Sequence, residues 1–350
     1  MDRTMNVEGG TIPDKGANGR TPLRIPGFVD LQVNGFVGVD FSSEALTEEA
    51  FLRAGHALIA RGTAAFMPTL ITNHEARLRR NLTLIVSALK KDAPLARHVL
   101  GFHLEGPFIS KEPGAVGAHD PAAVHLPDID CFERLVAWSE GRLRLLTVAA
   151  ELPGAAELAR YAVKRGVAVS CGHQLAGPDD LARLADAGAT ALTHLGNGMP
   201  NLVHRHNNPL LAGLAEERLK ILFIPDGHHL PRHVLKVLAR AAGADRLIAT
   251  TDAASAAGLP PGTYEVLGNR AVLEPDGLLH NPEKQCLVGS SATMLACMNV
   301  LHGLGLFTLD ELLRIGFHNP LALVGLAPHD VPTAAPYRLT YSPAAGFALV

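Results

Sequence analysis

Short apolar runs that each end in a polar or ionisable residue alternate along this chain with segments whose apolar residues recur at helical spacing. The runs cover 27–34, 64–70, 99–105, 144–151, 167–173, 189–195, 219–225 and 246–251. Helical patterns fill the gaps at 48–61, 73–90, 128–139, 155–165, 178–187 and 231–242, with a short one beginning at Leu210. Thr47 stands where the first helix needs a cap. Runs apolar throughout suit strands buried on both faces, and eight strand–helix units in succession predict an α/β fold, a closed (β/α)8 barrel of TIM type. The rhythm breaks at 258–284, where Pro260-Pro261-Gly262 and Pro275-Asp276-Gly277 punctuate β-prone residues, so an inserted β-hairpin is expected. Helices return at 290–303 and 309–315. Residues 1–24 are expected to form a flexible arm, 25–325 the barrel, and 326–350 a short β-like tail.

Composition narrows the classes. The chain has 350 residues, 47% of them apolar and 19% charged, enough for a large core and against global disorder. A net charge of −3 is no footprint for nucleic acid or an anionic membrane, and no uninterrupted apolar run is long enough to cross a bilayer. Cys131, Cys171, Cys286 and Cys297 have neither metal-ligand spacing nor the density of a disulfide framework, and the start of the chain lacks the apolar centre of a secretory signal. Both point to a cytoplasmic protein.

What the composition does single out is 17 histidines, several of them at strand ends. Barrel chemistry sits at the C-terminal ends of the strands. Collected there are Gln32 and Asn34 on the first strand, His103 and Glu105 on the third, Glu151 on the fourth and His173 on the fifth. His194 on the sixth, Asp226 and His229 after the seventh and Asp252 on the eighth complete the set. Each has a plainer explanation alone: a strand-end Glu held by amides, a core histidine, a helix-capping Asp. Together they supply what a hydrolytic metal site needs, imidazoles and a carboxylate as ligands in Glu105, His173 and His194, and a base in Asp252. Cys171 and His173 share a strand face, too poorly placed to pair as a thiol nucleophile and its base.

These residues stand in motifs. In order they are Pro26-Gly27-Phe28-Val29-Asp30-Leu31-Gln32-Val33-Asn34-Gly35, His103-Leu104-Glu105-Gly106-Pro107-Phe108 and Gly172-His173. Then come Thr193-His194-Leu195-Gly196-Asn197-Gly198-Met199-Pro200, Asp226-Gly227-His228-His229 and Thr251-Asp252-Ala253. From about residue 25 to about residue 325 the chain resembles the N-acetylglucosamine-6-phosphate deacetylases, a branch of the amidohydrolase superfamily. The resemblance implies one divalent ion, Zn²⁺ or else Fe²⁺ or another divalent metal, on Glu105, His173 and His194. Gln32 and Asn34 occupy the positions of the superfamily's paired histidines, and amides are weak ligands, hence one metal rather than two. It further implies Asp252 as the base that later returns its proton to the amine, and His119 as the group that polarises the acetyl carbonyl. Asn197, Gly198, His229 and Arg205 would hold the sugar phosphate, Arg205 reaching in from a second copy of the chain in a homodimer; Gln32 and Asn34 would border the substrate.

Departures from the family pattern cluster on the sugar and phosphate side. Asn201-Leu202-Val203-His204-Arg205-His206-Asn207-Asn208 stands where the family has Arg-Glu-Pro-Gly, Gly196 and Gly198 replace bulkier residues, and the strands that build a small β-sandwich domain are reduced or missing. The expectation is therefore an amino-sugar deacetylase acting on the acetamide of N-acetylglucosamine 6-phosphate. A different amidohydrolase activity, on N-acyl amino acids or cyclic amides, is the alternative that the altered loop motivates. A non-catalytic barrel that only binds is the other; it would have no need of both a ligand set and a base.

Overall fold

A computed structural model of the chain describes residues 23–332 and 339–350. Eight parallel strands form one sheet in chain order: Phe28–Val33, Thr63–Ile71, Phe102–Glu105, Leu143–Val148, Ala168–Cys171, Ala191–Leu192, Lys220–Phe223 and Leu247–Ala249. They are called the first to the eighth barrel strand below. Helices Glu48–Ile59, Glu75–Lys91, Ile129–Trp138, Ala155–Lys164, Pro178–Asp186, Pro209–Ala215 and Arg232–Arg246 cross between them. Local chemistry sets these boundaries: Thr47 accepts from the Ala50 amide at the first helix start, Asp128 from Asp130 and Cys131, and Asn208 from Leu211. The last helix runs beyond the expected 242, but Gly243 (φ 66°) interrupts it before it reaches Arg246.

Alternation along the strands divides the core. Ala65 and Met67 join Leu145, Ala191, Leu222 and Ile248 in one apolar cluster, while Phe66, Leu70, Leu146, Val169, Ile221 and Phe223 pack with the helices in another. At about 2 kcal/mol for each fully buried Leu or Phe, this outer layer dominates the drive to fold. It frees the upper interior for polar side chains.

The ladder does not run between the eighth strand and the first. That seam is joined by one isolated bridge, Val33 with Ala253, and by side chains. Asp30 accepts from Thr250 Oγ1 at 2.6 Å, Thr251 Oγ1 at 2.5 Å and the Thr251 amide at 3.1 Å. The Asn34 amide donates to Ala253 O at 2.8 Å.

Two smaller sheets flank the barrel and correct the expected boundaries. The segment after the eighth strand is a four-stranded antiparallel meander, Gly262–Val266, Asn269–Leu273, Leu279–Asn281 and Cys286–Leu287, rather than a single hairpin. Leu23 and Arg24, expected in the arm, belong to strand Leu23–Ile25, which pairs with Leu339–Ser342 and through it with Gly346–Leu349. The rest of the expected arm lies outside the described residues. No helix among the described residues is long and apolar enough to cross a membrane.

Candidate active site

The C-terminal strand ends converge on a cavity of about 590 Å³. Glu105 at the end of the third strand, His173 after the fifth and His194 after the sixth turn their heads to one point. Glu105 Oε1 lies 3.0 Å from His173 Nε2 and 2.7 Å from His194 Nε2, and the two Nε2 atoms are 3.1 Å apart. All three residues are buried. His173 Nδ1 donates to Ala115 O at 2.7 Å, which leaves Nε2 to face the carboxylate. In the metal-free chain Glu105 raises the pKa of this ring against burial, so Nε2 holds a proton toward Glu105, and on losing it offers a lone pair to a cation. Heads this close need positive charge among them, a proton in the metal-free chain or a metal in its place, and two imidazoles with a carboxylate oxygen suit a divalent ion. Gln32 Nε2 donates to Glu105 Oε1 at 2.8 Å from beneath and orients it, whereas His194 Nδ1 is buried without a partner among the described residues.

The two carboxylates of the cavity behave oppositely. Burial alone would push Glu105 up, but the imidazoles of His173 and His194 outweigh it and hold the carboxyl well below its usual range. Asp252 is pushed up to about 6, by burial first and then by the negative charge of Glu105. One carboxylate thus stays ionised while the other is poised to exchange a proton near neutrality. Asn34 Nδ2 donates to Asp252 Oδ1 at 2.6 Å.

His119, from the long loop after the third strand, enters between these groups. Its Nδ1 accepts from the Thr72 amide at 3.2 Å, which puts the ring proton on Nε2, 3.6 Å from Glu105 Oε2. Burial, helped by the neighbouring His173, lowers its pKa to about 3, so the ring is a neutral donor aimed into the cavity. Across the cavity His229 Nδ1 lies 2.7 Å from Asp226 Oδ2, and the His228 and His229 amides also donate to Asp226. Asn197 and Gly198 line the same side. Gly198 has φ +60°, and a β-carbon there would sit 3.1 Å from both His173 Nδ1 and His194 Cε1, so a side chain would be strained and would press on both rings.

Three functional positions are themselves strained. His173 (φ 50°), His194 (φ 29°) and Asp252 (φ 52°) occupy the left-handed region that side chains rarely adopt. Each is the second or third residue past its strand, where the chain must turn sharply to aim a side chain inward.

Most of the residues nominated from sequence come together here: Asn34, Glu105, His119, His173, His194, Asn197, Gly198, His229 and Asp252 all line the cavity. Gln32 does not line it but lies beneath Glu105. Arg205 is exposed on the loop after the sixth strand and lines no part of the cavity within its own chain. His103 is a layer deeper, its Nε2 2.8 Å from Thr147 Oγ1 and its pKa lowered to about 4 by burial. Glu151 accepts from the Leu175 amide, away from the cavity. Sequence reasoning missed one wall, Lys284, Gln285, Cys286 and Leu287 from the end of the meander. The only signal was adjacency, since this run leads straight into Gly289-Ser290.

Comparison with known proteins assigns this site to a family. No family model matches the chain. It is 37% identical over 321 residues to human N-acetylglucosamine-6-phosphate deacetylase, covering 86% of this chain and 74% of that one. It is 30% identical over 307 residues to N-acetylgalactosamine-6-phosphate deacetylase of Escherichia coli O157:H7, covering 87% and 78%. The crystal structure of N-acetyl-D-glucosamine-6-phosphate deacetylase from Mycobacterium smegmatis superposes with a TM-score of 0.84 at 28% identity, over 98% of this chain and 90% of that one. The chain is a hydrolytic enzyme of the amidohydrolase superfamily and belongs to the N-acetylglucosamine-6-phosphate deacetylase family.

Proposed function

We propose that this chain hydrolyses the acetamide of N-acetylglucosamine 6-phosphate to glucosamine 6-phosphate and acetate. The observation that carries the reading is the facing of Asp252 and His119 across the Glu105–His173–His194 cluster in one cavity. Glu105, His173 and His194 hold one divalent ion, for which Zn²⁺ suits the nitrogen-rich donor set. When bound, that ion acidifies water and polarises an acyl oxygen. Asp252 takes the proton of the attacking water as oxygen adds to the acetyl carbon. His119 donates its Nε2 proton in a hydrogen bond to the acetyl oxygen as negative charge builds there. Asp252 then delivers its proton to nitrogen, the C–N bond breaks, and the free amine and acetate leave. Asn197, Gly198 and His229 hold the sugar and its phosphate.

Arg205, on its exposed loop, completes the phosphate site from the second copy in a homodimer. The catalytic barrel begins at Phe28 and runs to about residue 325, and the three-stranded sheet of Leu23–Ile25, Leu339–Ser342 and Gly346–Leu349 closes its base. Four unpaired thiols among the described residues suit a reducing cytoplasm. The test is acetate release from N-acetylglucosamine 6-phosphate, its unphosphorylated sugar and N-acetylgalactosamine 6-phosphate, after chelation and after readdition of Zn²⁺. Zinc-restored release that favours the first substrate supports the reading. Release from none of the three by the zinc-loaded protein defeats it.

A further inference from the structure

We infer that Asn34 is the positioning residue of the catalytic base: it holds Asp252 from strand one, across the seam that the sheet does not close, and acts on the reaction through that carboxylate. The inference rests on the reading of Asp252 as the base and assigns Asn34 a task other than the substrate contact expected from sequence.

Three observations converge. The Asn34 side chain donates from Nδ2 to Asp252 Oδ1 at 2.6 Å, while its backbone amide donates to the carbonyl of Ala253 at 2.8 Å, so one residue grips the base and the residue after it. Asp252 needs such a grip. Its backbone is in the left-handed region, and its strand lacks ladder partners on the strand-one side beyond the single bridge at Ala253. Finally, Asn34 is 1% exposed and its carbonyl Oδ1 is buried with no partner among the described residues. An unpaired buried acceptor is destabilising, and an apolar residue of similar size would avoid it. The amide is explained by its donor end, which faces a carboxylate that can only accept when ionised.

The chemical consequence is a division between the two oxygens of Asp252. Oδ1 is engaged by Asn34, so Oδ2 is the atom that takes the proton from water and returns it to nitrogen. Without Asn34 the carboxylate is free to rotate about its Cβ–Cγ bond, and each turnover must find the productive orientation.

A double-mutant cycle tests this. Asn34→Ala should lower kcat about 10- to 100-fold with KM changed less than twofold, and with bound zinc per chain unchanged. In an Asp252→Asn background the same substitution should cost less than twofold more, because a residue acting only through the base has nothing further to lose. Asn34→Asp keeps the size and shape but removes the donor, and should lose at least as much kcat as Asn34→Ala; it serves even where the cavity left by alanine unfolds the chain. Equal losses in both backgrounds, a rise in KM at constant kcat, or wild-type kcat in Asn34→Asp would each overturn the inference. Wild-type turnover in Asp252→Asn would overturn the reading of the base and this inference with it. An inactive Asp252→Asn beside an indifferent Asn34→Ala overturns this inference alone.

Discussion

Two walls of the same cavity are built in different ways. The wall carrying Glu105, His173 and His194 rises from the third, fifth and sixth strands, each hydrogen-bonded to neighbours on both sides. The wall carrying Asp252 and Asn34 stands on the seam between the eighth and first strands, where the carboxylate of Asp30 and a pair of threonines substitute for a ladder. A rigid frame suits groups that must keep a fixed triangle around a cation. The proposed base needs something else. It must change protonation twice per turnover, and a side-chain latch holds it without burying it in the sheet.

The largest effects should separate the walls by what each loses. Glu105→Gln or His173→Ala should remove both bound zinc, read by elemental analysis, and turnover. Asp252→Asn should lower kcat by about 10³-fold or more while zinc content stays at the wild-type value. If Asp252→Asn also loses the metal, the division between the walls is wrong.

Acidity separates them next. In the metal-free chain Asp252 is pushed up to about 6 from 3.8, so its carboxyl contributes stability at low pH that is lost as pH rises through 6. Metal-free Asp252→Asn should therefore be more stable than wild type at pH 7, by about 3 kcal/mol, and lose that advantage below about pH 4, read by thermal melts across pH. In turnover the base must be ionised, so kcat/KM should fall tenfold per unit on the acid side. A bound cation favours the ionised form, so that limb lies at or below pH 6.

The latch itself comes third. Asp30→Asn retains an oxygen acceptor but sets an NH₂ against hydroxyls, and should cost about 1–3 kcal/mol in chemical denaturation, with zinc still bound. The smallest expected effect on the isolated site is that of Arg205→Met, which should weaken the preference for phosphorylated over unphosphorylated sugar and leave the latter's turnover intact. Mixing Arg205→Met with Asp252→Asn protein should restore some activity if the arginine crosses between copies. No recovery would assign the phosphate to residues within one chain.

The metal wall was the more legible in sequence, for a physical reason. Glu105, His173 and His194 each end an apolar strand, and an ionisable group there calls for a partner, so the pattern itself carries the signal. His119 came only from the resemblance, because a loop position has no period. The latch was invisible: Asp30 reads as one polar residue inside a strand, and nothing local shows that its partners lie 220 residues away at Thr250 and Thr251. The meander was seen as a single hairpin because its last two strands, Leu279–Asn281 and Cys286–Leu287, are too short to show alternation. Arg205 likewise came only from the resemblance, because an exposed loop has no period that would place its side chain.

The small sheet at the base of the barrel bears on how the molecule is made. Leu23–Ile25 pairs with Leu339–Tyr341, and Phe347 beyond it meets Phe28 edge to face at 5.1 Å, at the very start of the first strand. During synthesis Leu23–Ile25 leaves the ribosome long before its partners exist, and the apolar floor around Phe28 stays open until the hairpin of 339–349 has followed. Closing so long a loop is entropically slow compared with forming each strand–helix unit. Final locking of the floor is therefore expected to wait for residues 339–349, and a chain truncated before Leu339 should be more readily cleaved by protease than one that carries them.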